Sequence, residues 1–297
     1  MLYKQIAENK RKTFLLVTLF TVLVLGIGWA IGYLVNNDSV TGLVITVIIL
    51  AIYIPITYFT ASSQVLRMSG AKEIKKQDHR QLFGIVEELS MAARIPMPKV
   101  YIINDPAPNA FATGIKPEKG AVAFTTGLLA TLNREELAGV VAHELAHIRN
   151  YDIRLMTICI ALVGVIALIA NFGSRMLLFG GGNRRGNNNQ KSHPIMMIIA
   201  VIFLILAPIA SQFVRLAVSR NREYLADATA VEFTRNPVGL INALKKISGD
   251  PRDVQNAQQA TASMYISRPI GKKRKNKGSL WATHPPIESR IERLQNM

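Results

Sequence analysis

His143-Glu144-Leu145-Ala146-His147 is an H-E-x-x-H sequence set in a strongly helical stretch. On a helix, residues four apart share one face, so both imidazoles reach a single metal ion. Glu144, one residue after the first imidazole, is placed to contact a water at the metal without ligating the metal itself. Two histidines with an open coordination position belong to hydrolytic rather than closed structural zinc. The flanking residues Gly139-Val140-Val141-Ala142, Leu145, Ala146 and Ile148 are uncharged, as a helix buried behind a metal site requires. Asn133, with Glu136 three residues on, predicts a capping-box start. The pattern points to a zinc peptidase.

Such a site needs a third protein ligand. The remaining histidines are His79, His193 and His284, and the single cysteine, Cys159, lies in an apolar run. Glu223 is the better candidate, in the helical stretch from Ser219 to Asp227. Asp227 falls one turn after it on the same face, where it can orient a ligating histidine through a hydrogen bond.

The chain has 297 residues and a formal charge of +16, with a mean hydropathy above zero. That combination implies a membrane protein with basic water-exposed parts. No charged residue occurs over 13–35 or over 40–61, and each run is long enough to span a bilayer as a helix, Pro55 included. A cleaved signal peptide is not expected, since the first run is too long and no convincing small-residue cleavage site follows it. Lys4, Lys10, Arg11 and Lys12 precede the pair, and Arg67, Lys72, Lys75, Lys76 and Arg80 follow it. The positive-inside rule therefore puts the N-terminus and the segment after Arg67 in the cytoplasm.

A second apolar pair, 156–172 and 195–210, separates the two halves of the metal site. Its connecting segment is basic, so spanning and re-entrant topologies both stay open, and both return Glu223 to the side of His147. Between the hairpins, 81–93 shows helical periodicity, while 99–103, 109–113 and 121–125 read as short strands, the last two separated by a turn at 116–120. A small sheet beside the metal-bearing helix offers an edge to an extended peptide. The expected fold is α+β, mainly helical. It comprises a transmembrane hairpin (1–66), a first catalytic segment (67–152), a second hydrophobic hairpin (153–213) and a second catalytic segment (214–297). The basic run at 272–277 lacks interleaved aromatics, so lipid contact or solvation explains it better than nucleic-acid binding.

Taken together, the run His143 to Asp152, the Ser219-to-Asp227 segment, the two-span N-terminus, Asn109-Ala110-Phe111-Ala112-Thr113-Gly114 and Thr283-His284-Pro285-Pro286-Ile287 resemble the HtpX family of bacterial membrane-bound zinc metalloproteases, essentially end to end. The CAAX prenyl endopeptidases belong to the same wider family. Only 180–191 and 272–277 depart from the family's character. The resemblance implies a cytoplasmic zincin-like domain of gluzincin type, one Zn2+ on His143, His147 and Glu223, and Glu144 as catalytic carboxylate. It implies an endopeptidase of the bacterial plasma membrane that cleaves misfolded or damaged membrane proteins, a quality-control role tied to stress. On its strength His284 is the candidate oxyanion donor, and Asn109, with Ala110 and Phe111, the candidate substrate-binding strand. A catalytically silent zinc-containing scaffold or chaperone is the alternative, against which an intact Glu144 argues.

Overall fold

The computed structural model describes residues 2–162, 220–255, 257, 261–270 and 285–297. Two long helices open it, α1 (Leu2–Asn36) and α2 (Ser39–Met68). They turn at Asn37, which takes a left-handed conformation, and at Asp38, whose carboxylate caps α2 by accepting from the amides of Val40 and Thr41. Both are long and apolar enough to cross a membrane. The side chains of Phe14, Leu15, Leu19, Val44, Ile48 and Ile52 lie exposed along them. Water makes such surface costly and lipid does not, which sets these helices apart from the core helices of a soluble protein.

α2 runs seven residues beyond the apolar stretch expected to end at Ala61. Nothing breaks it until Ser69 and Gly70, where φ is 66°. Its last turns enter the soluble part, with Val65 and Leu66 buried against Ile103, Phe111 and Tyr265. The hairpin and the catalytic part therefore share a core across the boundary expected at residue 66.

A four-stranded sheet follows, ordered β1-β2-β4-β3. β1 (Ala71–Glu73), too short to show in the sequence pattern, pairs antiparallel with β2 (Lys99–Ile103). β2 lies parallel to β4 (Ala121–Thr125), and β3 (Ala110–Thr113) closes the far edge antiparallel to β4. The expected strands fall where their alternation puts them, and the turn at 116–120 is a single 3-10 turn, Pro117–Lys119. Alternation sends Val100, Val122 and Phe124 to one face, into the main core, and Tyr101, Ala121 and Ala123 to the other, over the end of α2.

On the main-core face lie α3 (Arg80–Ala93) and α5 (Arg134–Arg149), with the short α4 (Thr126–Thr131) between them in sequence. His79 caps α3, its Nδ1 accepting from the Leu82 amide at 3.2 Å. α6 (Arg220–Thr234), α7 (Pro237–Gly249) and α8 (Ile287–Gln295) pack around α5 and complete that core. α5 crosses α7 at Gly139, where backbone meets backbone. Residues 152–162 are helical and, apart from half-buried Arg154, buried, with Leu155, Met156 and Cys159 packed against Leu16, Phe20 and Leu50 of the hairpin. The rest of the second apolar pair lies outside the described residues.

Candidate metal centre

α5 carries the H-E-x-x-H residues in its last two turns. Its start is the expected capping box: Asn133 accepts from the Glu136 amide and Glu136 from the Asn133 amide, each at 2.9 Å. Its end is a C-cap at Asn150 followed by Tyr151 at φ 59°. That left-handed step reverses the chain and sets Asp152 under His147.

Three side chains converge on one point. His143 Nε2 lies 3.2 Å from His147 Nε2, and the Glu223 carboxylate is 3.8 Å from the first and 3.7 Å from the second. A tetrahedral ion with bonds of about 2.0–2.1 Å separates its ligands by roughly 3.3 Å; the two histidines stand at that spacing and the carboxylate, one oxygen nearer each histidine, slightly beyond it. Among the described residues this trio is the His/Cys/Asp/Glu group close enough to hold an ion. His143 and Glu223 are buried and His147 nearly so.

The other ring nitrogens are occupied. His143 Nδ1 is 3.0 Å from Asp227 Oδ1, and His147 Nδ1 is 3.1 Å from Asp152 Oδ2. Each carboxylate accepts a hydrogen bond from Nδ1–H, which keeps the proton on Nδ1 and leaves Nε2 as the lone-pair donor towards the centre. Asp227 was expected in this role. Asp152 was not, because it lies beyond the end of α5 and reaches back only through the turn at Tyr151.

Electrostatics agree with a cation at this point. Burial pushes His143 down to about 4, and the Arg290 guanidinium acts in the same direction, so the imidazole is neutral. Burial also opposes charge on His147, but Asp152, Glu223 and Glu144 outweigh it and hold it up at about 9. A carboxylate-rich pocket that attracts a proton so strongly attracts a divalent ion in its place. Burial pushes the Glu144 carboxyl up to about 8, and the Glu223 carboxylate adds to that shift against the pull of His147. The Ala112 backbone at the edge of β3 faces this carboxyl and pulls it the other way, offsetting its burial only in part. A buried carboxyl so weakly paired is costly, and here it faces the cleft formed with His147, Asp152, Glu223, Ala112 and Met264. The residues present fit a metal ion.

A profile of peptidase family M48 matches residues 76–297, which takes in His143, His147 and Glu223. The chain belongs to peptidase family M48. It is 55% identical over 305 residues, covering 100% of both chains, to the "Protease HtpX homolog" of Listeria monocytogenes serovar 1/2a. It is 52% identical over 298 residues, again covering 100% of both, to that of Streptococcus agalactiae serotype III. Among solved structures, S. mikatae Ste24p aligns over 98% of this chain and 67% of its own at 19% identity, with a TM-score of 0.49. As an M48 protein with two bare apolar helices, the chain is a membrane metalloprotease.

The remaining site residues fall differently. Asn109 is fully buried; its Nδ2 donates to the Ser267 carbonyl at 2.9 Å, and its Oδ1 accepts from the amides of Ala110 and Ser267. The Ala110 carbonyl accepts from the Ile266 amide, and Phe111 packs edge-on against Tyr265 at 5.1 Å. The three residues expected to bind substrate instead fasten the 261–270 segment to the outer edge of β3, because that segment uses the hydrogen bonds a peptide would need. Two residues further along, Ala112 faces outwards like Ala110 and lines the cleft. His193 and His284 lie outside the described residues.

Proposed function

We propose that this M48 chain is a zinc-dependent endopeptidase that cuts misfolded or damaged membrane proteins at the bacterial plasma membrane. In this reading the chain is multi-pass and its catalytic domain faces the cytoplasm. One observation carries the proposal. The buried carboxylate of Glu144 lines the same cleft as His147 and Glu223, which together with His143 could hold a metal ion, beside the outward-facing Ala112 of an edge strand. A structural metal site has no use for such a carboxylate.

His143, His147 and Glu223 would hold the metal. Bound there, zinc supplies a water whose pKa falls to about 7 and polarises the scissile carbonyl. Ala112, on the strand edge, aligns an extended peptide across the cleft. Glu144 takes the proton of the attacking water and passes it to the leaving amine. His284, directly before Pro285, is retained as the donor to the oxyanion. The apolar surface of α1 and α2 supports a cleft working beside a bilayer and membrane proteins as substrates, and the lysines and arginines flanking the hairpin support the cytoplasmic orientation.

The test compares purified wild type and Glu144→Gln for zinc content and for cleavage of an unfolded membrane protein in detergent. The reading expects about one zinc per chain in both and cleavage by the wild type alone. Equal cleavage by the two would remove Glu144 from the chemistry. Zinc retained with no cleavage by either would favour the silent scaffold.

A further inference from the structure

Arg290 is the largest fully buried side chain among the described residues, at 0% exposure. It stands on α8, at the far end of the chain from the H-E-x-x-H helix, yet its guanidinium reaches the metal centre. Nε and Nη2 donate to the two oxygens of Asp227, at 2.8 and 2.6 Å. Nη1 donates to the Ile266 carbonyl at 3.1 Å and lies 3.7 Å from the Glu223 carboxylate. Nη2 is 3.4 Å from both ring nitrogens of His143, so it lies against the imidazole rather than on one nitrogen.

A buried arginine is costly unless paired with good geometry. A two-point bond to a carboxylate meets that condition and also fixes the plane of the carboxylate. Asp227 is the group that holds His143 Nδ1. Fixing Asp227 therefore fixes the rotation of His143 and the direction of Nε2. Lysine, a single point charge, cannot hold both oxygens of Asp227 in one plane.

We propose that Arg290 is a positioning residue for the metal centre, acting through Asp227 on His143, so that α8 must dock before the site reaches full metal affinity. The proposal rests on the reading of His143, His147 and Glu223 as metal ligands. α8 has its own anchors, with Leu294 in the core and Arg293 stacked 3.8 Å above the Tyr224 ring, so Arg290 is not the helix's sole attachment.

The test measures zinc affinity by chelator competition in detergent for the full-length wild type, Arg290→Gln, Arg290→Lys, Asp227→Asn and the double variant Arg290→Gln/Asp227→Asn. Melting of the zinc-free proteins is followed in parallel. Loss of a partner that orients a ligating histidine weakens metal binding by about 10–100-fold; Arg290→Gln is expected near the lower end, with partial rescue by Arg290→Lys. In the Asp227→Asn background, Arg290→Gln should change affinity by less than about twofold, since contacting residues in one chain of action are not additive. Fold changes that multiply in the double variant, or an Arg290→Gln protein that melts early but binds zinc as the wild type does, would reduce Arg290 to a packing residue and overturn the proposal. Glu223→Gln separates the two readings. If the wild type binds no zinc more tightly than Glu223→Gln, the ligand assignment fails and takes the proposal with it. If only Glu223→Gln loses zinc while Arg290→Gln retains it, the proposal alone fails.

Discussion

Replacing Gly139 with alanine adds one methyl group where α5 crosses α7. That Cβ would sit 2.7 Å from the Leu240 amide nitrogen and 2.8 Å from Leu240 Cα. Carbon contacts settle at about 3.5–4.0 Å, so the two helices must part by roughly 0.7–1 Å. The atoms in the way are backbone and cannot rotate aside. Gly239 faces the same crossing, its own Cβ direction blocked by the Glu135 carbonyl at 2.6 Å. Two effects oppose each other. Alanine in place of glycine inside a helix gains about 1 kcal/mol, whereas overpacking a filled core costs about 1–3 kcal/mol. With immovable neighbours the upper part of that range applies, for a net loss of about 1–2 kcal/mol. Gly84 provides the control: it is also helical, in α3, and a Cβ there meets nothing within 4 Å. Gly84→Ala should gain about 0.5–1 kcal/mol. Thermal melting in detergent reads both, at about 2–4 °C per kcal/mol for a domain of this size. Gly139→Ala is expected below the wild type and Gly84→Ala above it. A Gly139→Ala protein that melts at or above the wild-type temperature would refute the close helix contact and the position it gives to His143 one turn on.

Asp152→Asn should weaken zinc binding by about 10–100-fold, or 1.4–2.7 kcal/mol, without displacing α5; an unchanged affinity in chelator competition would show that His147 needs no carboxylate to orient it. Chelator treatment should lower the melting temperature of the wild type, because a ligand at about 100 times its Kd adds about 2.7 kcal/mol to the folded state. Glu223→Gln should abolish that chelator effect, and a Glu223→Gln protein still sensitive to chelator would move the third ligand elsewhere.

Much of this architecture was legible along the chain. The strand limits at 99–103 and 121–125 follow from a period of two bounded by turn residues, and the capping box at Asn133 from two side chains three positions apart. Asp227 was legible for the same reason, being one helical turn from Glu223. Other features depended on chain that leaves its local element. β1 is only three residues long and carries no period. α2 overran its apolar run because helix propensity, unlike membrane residence, does not end where hydrophobicity ends. Asn109 read as a substrate-binding residue because nothing adjacent in sequence discloses that the 261–270 segment returns to its strand edge.

The sequence by itself determined the metal chemistry and the membrane hairpin. H-E-x-x-H on one helix face and two uncharged runs of spanning length are local patterns, and helix geometry or the bilayer converts them directly into structure. Only the tertiary structure decided which groups hold the ligands in place. Asp152 reaches His147 through a left-handed turn, and Arg290 reaches Asp227 from 63 positions away. The physical reason is burial: a charge on an exposed helix and the same charge sealed against a metal centre are written with the same residue, and only the packing of α8 on α6 distinguishes them.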